Sequence, residues 1–204
     1  REEITRVPYT DRSEAITYFG LDPSLKVVLV VGGSLGSGTL NESVKQWILR
    51  DGSEDFQLIW QYGKAYRRET ELFMADHKKG TIREYEFIKR MDLAFAAADV
   101  IITRAGAGTI SELCIARKAC IFVPSPNVAE DHQTHNAMAL VRKNAAVLVP
   151  DHEAPEKVMD AAVALLNDKP RRESMEKNIS SLALYDSAET IAKEILKIVE
   201  RNEN

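Results

Sequence analysis

The sequence predicts an α/β fold built on a doubly wound parallel sheet of about six strands. Short runs of Val, Ile and Leu alternate along the chain with longer stretches in which apolar residues recur at helical spacing. Runs such as VVLVV at residues 27–31 are apolar at every position, which is typical of strands covered on both faces. Strands that alternate with helices imply right-handed crossovers and therefore a parallel sheet.

The individual elements follow from these runs and from the turns between them. We expect strands at residues 27–31, 56–61, 81–87, 100–103, 119–123 and 146–149. The first strand runs into GGSLGSG, the fourth into TRAGAG and the fifth into PSPN, all of them turn-forming sequences. Amphipathic stretches predict helices at residues 40–50, 65–77, 91–98, 109–116, 131–143, 153–167, 171–182 and 187–201. Ligands on such sheets bind beyond the carboxyl ends of the strands, so the loops there are the candidate sites.

The composition is that of an ordinary globular protein. The 204 residues suit one domain, and the net charge of −4 argues against nucleic-acid binding. Cys114 and Cys120 lack metal-ligand spacing, so we expect buried, reduced thiols. No apolar run approaches the ~20 residues that span a bilayer. The chain does not begin with Met, and its opening REEITRVPY suggests a segment of a longer protein.

A glycine-rich turn at residues 32–38 follows the first strand. Its glycines fit no frame of the dinucleotide fingerprint, and the second strand ends in Gln61 and Tyr62 instead of an acid for a ribose. No Lys follows the glycines, as a P-loop would require. Free backbone N–H groups at a helix N-terminus, with Ser34 beside them, favour an anionic oxygen such as phosphate. The alternative is that the glycines serve only tight strand-to-helix packing.

The second loop, TRAGAGTISE at residues 103–112, also follows a buried strand and opens a helix. Two such turns on one sheet suggest a single ligand held at two points. Thr109 and Glu112 form a T-x-x-E pattern, and this spacing alone favours a capping box. The functional alternative is that the Glu112 carboxylate accepts hydrogen bonds from two vicinal hydroxyls, as on a ribose.

Two further segments contain residues that could bind a polar part or a flat part of a ligand. In PSPNVAEDHQTHNA, at residues 124–137, Gln133 and Asn136 share a helix face, and their amides suit sugar hydroxyls. His132 and His135 lack a third ligand, so a metal site is disfavoured. In YEFIKRM, at residues 85–91, Phe87 and Ile88 could flank a flat base while backbone groups read its polar edge, although ordinary core residues explain this segment too.

These segments, in this order, resemble the C-terminal half of the MurG family of glycosyltransferases. The resemblance is carried by VVGGSLG, by YEFIKRMDLAFAAADVIITRAGAGTISEL and by FVPSPNVAEDHQTHNA, and it covers almost the whole chain. The family transfers N-acetylglucosamine from UDP-N-acetylglucosamine to an undecaprenyl-linked muramyl-pentapeptide. The resemblance implies a Rossmann-like domain, the second half of a GT-B architecture, with no metal and no cofactor.

The resemblance also implies which residues bind UDP-N-acetylglucosamine. Ser34 would contact the diphosphate, the Ile88 backbone the uracil, and Gln133 the sugar, with Asn136 close by. Glu112 would hold both ribose hydroxyls. Arg1 would match an arginine at the domain junction that also reaches the donor. The nucleotide would be lined by Ala107, Gly108, Thr109, Ile110, Ser111 and Glu112.

The rest of the expected enzyme lies outside this sequence. The family's first half carries the lipid acceptor site and the candidate catalytic groups, so we expect no catalytic residue here and no activity alone. Residues 1–186 would form the UDP-sugar-binding domain, and residues 187–204 a helix and tail that dock on the preceding domain. The full-length protein would be an inverting N-acetylglucosaminyltransferase that converts lipid I to lipid II at the cytoplasmic face of the bacterial inner membrane.

Two alternatives stay open at this point. One is the corresponding half of another UDP-sugar glycosyltransferase or of a sugar-nucleotide epimerase. The other is a donor-binding subunit that completes its site only with a partner chain.

Overall fold

A six-stranded parallel sheet forms the centre of the protein. The computed structural model describes residues 2–50, 55–128 and 131–183. The strands are hydrogen-bonded in the order β3-β2-β1-β4-β5-β6, and every pairing is parallel. The predicted fold class is therefore confirmed. In chain order the strands are β1 (Lys26–Val31), β2 (Phe56–Gln61), β3 (Ile82–Tyr85), β4 (Val100–Thr103), β5 (Cys120–Phe122) and β6 (Val147–Leu148).

Helices cover both faces of the sheet, as crossovers between parallel strands require. Short 3₁₀ segments are found at Glu2–Tyr9, Lys64–Tyr66 and Asp151–Glu153. In chain order the α-helices are α1 (Arg12–Phe19), α2 (Gly38–Arg50), α3 (Arg67–His77), α4 (Met91–Ala97), α5 (Ala107–Ala116), α6 (His132–Val141), α7 (Ala154–Asn167) and α8 (Lys169–Ser180).

Alternate side chains of each strand enter different cores. On β1, Val27 and Leu29 pack with α1, α4, α5 and α6, whereas Val28 and Val30 pack with α2, α3 and α7. This division explains why β1 is apolar at five successive positions, since a strand with one wet face would alternate. The strand order reverses between β1 and β4, so the crevice for a ligand is expected beyond the ends of these two strands.

The N-terminal segment contains structure that the sequence analysis missed. The 3₁₀ segment Glu2–Tyr9 packs against α4 and α5, and α1 packs against α4. Helix α1 has ordinary boundary signals: Asp11 accepts a hydrogen bond from Ser13 N at 2.9 Å, and Gly20 ends the helix with a φ of 60°. It was missed because only eight residues, Arg12–Phe19, are helical, too few to show a clear period.

Other boundaries differ from expectation by a few residues. The third strand covers Ile82–Tyr85 instead of 81–87, and α5 begins two residues earlier than predicted. Cys114 and Cys120 are buried free thiols, as predicted. The expected last helix, 187–201, and Arg1 lie outside the described residues. Within the described ranges no helix is long and apolar enough to span a membrane.

Candidate functional site

A cavity of about 440 Å³ opens at the carboxyl edge of the sheet, beside the ends of β1 and β4. The strand ends are level there, because Val31 pairs with both Gln61 and Thr103. Loops that are distant in sequence therefore meet around one space. The lining residues are Val31, Gly32, Gly33, Ser34, Gln61, Phe87, Met91, Phe95, Ile101, Thr103, Arg104, Gly106, Thr109, Glu112 and Gln133.

A larger cavity, about 650 Å³, lies at the opposite edge, around Lys26 and Phe56 at the amino ends of β1 and β2. The Lys26 ammonium group donates to the Leu166 carbonyl at 2.7 Å and so is already engaged there. We place the functional site at the carboxyl edge, because parallel sheets bind ligands there and because the loops singled out by their sequence converge there.

The glycines of the turn after β1 divide into two kinds. A Cβ built on Gly32 would lie 2.6 Å from Ser37 N, and one on Gly36 would lie 2.1 Å from the Tyr62 carbonyl oxygen. Packing requires glycine at these two positions, which agrees with the alternative that the glycines of this turn serve tight packing. Gly33 also has a positive φ, 88°, but no atom lies within 4 Å of its Cβ position. Gly33 and the exposed Ser34 thus leave backbone open to a ligand at the cavity.

The last residue of β2, Gln61, connects this turn to the segment after β3. Its Nε2 donates to the Gly33 carbonyl at 2.9 Å, and its Oε1 accepts from the Ile88 N–H at 2.8 Å. In the sequence, Gln61 is notable only because it occupies a position where a ribose-binding acid would be expected. Its role depends on two hydrogen bonds to residues that are distant in the sequence, and no local sequence pattern predicts them.

The predicted capping box at Thr109 and Glu112 is wrong. The N-cap of α5 is Gly106, with a φ of −67° and a ψ of 143°, and the Gly106 carbonyl accepts from Ile110 N at 3.0 Å. Thr109 therefore lies inside the first turn and Glu112 in the second, where its side chain cannot reach the N-cap. Both residues line the cavity. The alternative of a purely capping Glu112 is thereby removed.

The first two residues of α5 are accessible and lie between two residues that line the cavity, Gly106 and Thr109. Ala107 and Gly108 are exposed, and no atom lies within 4 Å of the Cβ position of Gly108. The remaining predicted residues of this stretch serve the helix itself. The Ile110 side chain packs against the core, and Ser111 Oγ donates to the Ala107 carbonyl at 3.1 Å.

Two side-chain amides of α6 make hydrogen bonds to the backbone of the loops after β4 and β5. Gln133 Oε1 accepts from Ala105 N at 3.2 Å and from Ser125 N at 2.9 Å. Asn136 Nδ2 donates to the Ala105 carbonyl at 3.2 Å. Gln133 lines the cavity, and its side-chain N–H₂ group makes no hydrogen bond to the described part of the chain, so it can donate to a ligand.

An ion pair that the sequence analysis did not anticipate braces the far side of the cavity. Arg104 is paired with Asp151, and Arg104 Nη1 also donates to the Val123 carbonyl at 3.0 Å. Asp151 accepts in turn from Thr39 Oγ1 at 3.1 Å. The ion pair and the Thr39 hydrogen bond together tie the loops after β4 and β6 to the start of α2. Arg104 itself lines the cavity.

The opposite wall is apolar and comes from the β3–α4 connection. Phe87 is 54% exposed and lines the cavity with Met91 and Phe95, so it can cover a flat ligand. Ile88 is buried, and its N–H is engaged by Gln61. Beside this wall a hydrogen bond from Arg90 holds the pKa of the Asp92 carboxyl below its ordinary value.

The structure therefore brings four of the predicted side chains to one cavity: Ser34, Thr109, Glu112 and Gln133. Ala107 and Gly108 are exposed next to it and are not among its lining residues, whereas Ile110, Ser111, Ile88 and Asn136 make contacts within the protein.

A doubly wound sheet with glycine turns around a cavity at its switch point defines a Rossmann-like domain of the GT-B glycosyltransferase type. A family model, that of the glycosyltransferase family 28 C-terminal domain, matches residues 27–191. The chain belongs to this family.

Two similar curated proteins carry the name UDP-N-acetylglucosamine–N-acetylmuramyl-(pentapeptide) pyrophosphoryl-undecaprenol N-acetylglucosamine transferase. The protein from Parabacteroides distasonis is 43% identical over 190 residues, and the one from Phocaeicola vulgatus is 46% identical over 194. These alignments cover 93% and 95% of this chain but 52% of each relative. The chain thus spans about half the length of the curated relatives it matches.

Solved structures agree with the fold. MurG from Acinetobacter baumannii aligns with a TM-score of 0.75 and 29% identity, over 94% of this chain and 54% of that one. Anabaena HepE, solved with UDP and glucose, aligns with a TM-score of 0.69 over 93% of this chain and 51% of that one, but at 14% identity it shows a shared fold alone. The resemblance to the MurG family is confirmed.

Proposed function

We propose that this chain is the donor-binding half of a glycosyltransferase that moves N-acetylglucosamine from UDP-N-acetylglucosamine to an undecaprenyl-linked muramyl-pentapeptide. The observation that carries the proposal is the convergence of Ser34, Thr109, Glu112 and Gln133 on one cavity at the switch point of the sheet. The names of the relatives that share 43% and 46% of their aligned residues with this chain support the choice of donor and acceptor.

Each part of the donor has a group suited to it. The diphosphate would accept hydrogen bonds from the Ser34 turn and from the free N–H groups at the start of α5, where the helix dipole favours negative charge. The Glu112 carboxylate would accept hydrogen bonds from both ribose hydroxyls. The Gln133 amide N–H₂ would donate to the sugar, while Asn136 keeps the loop beneath it in position.

The base would lie against Phe87. Because the Ile88 N–H already donates to Gln61, we assign the uracil contact to the Ile88 carbonyl, which would accept the ring N–H. Arg1, outside the described residues, is assigned to the donor by the family resemblance alone.

The chemistry available to this half is stabilisation of the leaving group. As the bond from the sugar to the diphosphate breaks, negative charge grows on the diphosphate, where backbone N–H groups are already oriented. An inverting transfer also needs a base for the acceptor hydroxyl. We assign the base and the acceptor site to the other half of the enzyme. We therefore expect this chain to bind the donor without turning it over.

The same proposal covers organisation and location. Residues 1–186 would form the donor domain, and residues 187–204 would dock on the acceptor domain. The whole enzyme would act as a peripheral protein at the cytoplasmic face of the bacterial inner membrane, since its acceptor is a lipid.

Titration calorimetry of the 204-residue chain with UDP, in the presence of EDTA, tests the donor assignment. We expect weak binding that does not require metal, and stronger competition by UDP-N-acetylglucosamine than by UDP-glucose or a TDP-sugar. Absence of heat at millimolar UDP would overturn the proposal. Preference for UDP-glucose or for a TDP-sugar would favour another sugar-nucleotide enzyme.

A further inference from the structure

We infer that Gln61 is a positioning residue: its side-chain amide holds the turn after β1 and the segment after β3 in one fixed arrangement. The inference rests on the proposed function for its meaning, because these two segments would contact the diphosphate and the base. Gln61 would act through the peptide groups that it orients.

The geometry around Gln61 is that of a complete bridge. The residue is 2% exposed, at the end of a central strand. One side of its amide donates to Gly33 and the other accepts from Ile88, at 2.9 and 2.8 Å. These partners are 28 and 27 residues away along the chain, so the two segments are connected through this side chain.

The bond to Gly33 determines the direction of the next amide. A trans peptide is planar, and its C=O and N–H point in opposite directions. The Gly33 carbonyl accepts from Gln61 Nε2 at 2.9 Å and from the Gly36 N–H at 3.1 Å, so the Ser34 N–H points the other way. Reorienting this peptide changes ψ of Gly33 and φ of Ser34, and no atom lies within 4 Å of the Cβ position of Gly33 to oppose that change. Replacing Gln61 removes one of the two donors to this carbonyl, so the peptide is held less firmly and the Ser34 N–H becomes a less well oriented donor for the diphosphate.

The bond from Ile88 has the same consequence at the base end of the cavity. Holding the Ile88 N–H fixes the peptide plane between Phe87 and Ile88. The Cα atom of Phe87 belongs to that peptide unit, so the position of its half-exposed ring depends on how the peptide is held. One buried amide thus orients two peptide planes on two sides of the cavity.

The chain provides a matched control at the other end of the same strand. Gln57 is 3% exposed, and it also makes two hydrogen bonds through its amide. Its Oε1 accepts from Asp22 N at 2.6 Å and its Nε2 donates to the Asp22 carbonyl at 2.8 Å. A methionine at either position removes two buried hydrogen bonds from β2, but only Gln61 faces the proposed site.

The first measurement compares UDP binding by Gln61→Met and Gln57→Met, with the thermal midpoint of each variant. We expect Gln61→Met to weaken UDP binding about 10-fold or more, the scale of one lost hydrogen bond, and uridine binding by less. Gln57→Met should lower the thermal midpoint similarly and leave UDP binding within about two-fold. Equal loss in both variants, or no loss in Gln61→Met, would overturn the inference. If Gln61→Met does not fold, Gln61→Asn replaces it, since its amide is too short to reach both partners.

The second measurement uses the free protein and does not depend on UDP. In ¹⁵N-edited NMR spectra, Gln61→Met should move the Ile88 amide upfield and broaden or split the Ser34 amide, whereas Gln57→Met should leave both unchanged. Unchanged Ile88 and Ser34 amides in Gln61→Met would show that Gln61 does not orient these peptides. Should the parent bind no UDP, the proposed function fails, and the spectra still decide whether Gln61 orients the two segments.

Discussion

The backbones of Gly36 and Gly63 are in direct contact: a Cβ built on Gly63 would lie 2.1 Å from the Gly36 nitrogen. Both residues have positive φ, 90° and 84°. The N–H groups of Lys64 and Ala65 also donate to carbonyls of the first turn, each at 3.3 Å. The turn after β2 therefore packs directly against the turn after β1, and neither Gly36 nor Gly63 has room for a side chain.

This contact predicts that Gly36→Ala destabilises the protein by at least ~2 kcal/mol, because a positive φ and a backbone clash act together. Chemical denaturation with urea measures the loss. Gly80→Ala is the control, since no atom lies within 4 Å of that Cβ position, and it should change stability by less than about 0.5 kcal/mol. Equal stability of both variants would mean that the turns can separate at little cost.

Glu112 is predicted to contribute to ligand binding without capping α5. Glu112→Ala should weaken UDP binding by ~1–3 kcal/mol, the scale of hydrogen bonds to a charged group. Glu156→Ala, an exposed glutamate on α7 away from the cavity, should leave binding unchanged. Calorimetry on both variants checks this. Parental affinity in Glu112→Ala would remove Glu112 from the site.

Gly108 is predicted to show opposite effects on stability and on binding. Gly108→Ala should stabilise α5 by about 0.5 kcal/mol, because alanine is the better helix former and no atom obstructs its Cβ. The same methyl group should hinder a diphosphate that approaches the helix backbone. We therefore expect a higher thermal midpoint with weaker UDP binding. A variant that is more stable and binds normally would place the diphosphate elsewhere.

The ion pair of Arg104 and Asp151 is predicted to stabilise the cavity wall. The two side chains are 18% and 21% exposed, so Asp151→Asn leaves a poorly hydrated cation and should cost about 2 kcal/mol. Asp160→Asn breaks a pair with Arg50 that is largely exposed, and should cost less than about 0.5 kcal/mol. Urea denaturation of both variants gives the comparison, and a similar cost for the two pairs would contradict it.

Both thiols are predicted to be unreactive in the folded protein. Burial raises the pKa of Cys114 and of Cys120 above the ordinary value, so at neutral pH neither forms appreciable thiolate, the reactive species. A colorimetric disulfide reagent at pH 7.5 should label neither in native buffer and both in guanidinium chloride. Rapid labelling of the native protein would show that α5 or β5 opens readily.

The sheet could be predicted from the sequence because its cause is local. A strand covered on both faces, such as β1, must be apolar at nearly every position, and that pattern is visible without the rest of the chain. The glycine-rich turns could also be recognised from the sequence, because their pattern is local. Helix α1, by contrast, is too short for its period to be recognised, although Asp11 and Gly20 mark its ends.

The loops of the site could be predicted from the sequence, but the hydrogen bonds and the ion pair that connect them could not. Ser34, Glu112 and Gln133 were identified from segments whose order resembles a family. Gln61 and the pair of Arg104 with Asp151 were missed, because their partners lie between 27 and 47 residues away along the chain. Hydrogen bonds over such separations leave no periodic pattern.

By itself, the sequence determined the alternation of strands and helices, the parallel sheet and the set of loops at its carboxyl edge. Only the tertiary structure decided that α5 begins at Ala107, so that Glu112 faces the cavity instead of capping the helix. It also decided which glycines serve packing and which leave backbone open. The physical reason is that the burial pattern of a strand or a helix is a local property of the sequence. The direction of a peptide group or a carboxylate depends instead on atoms from several distant segments.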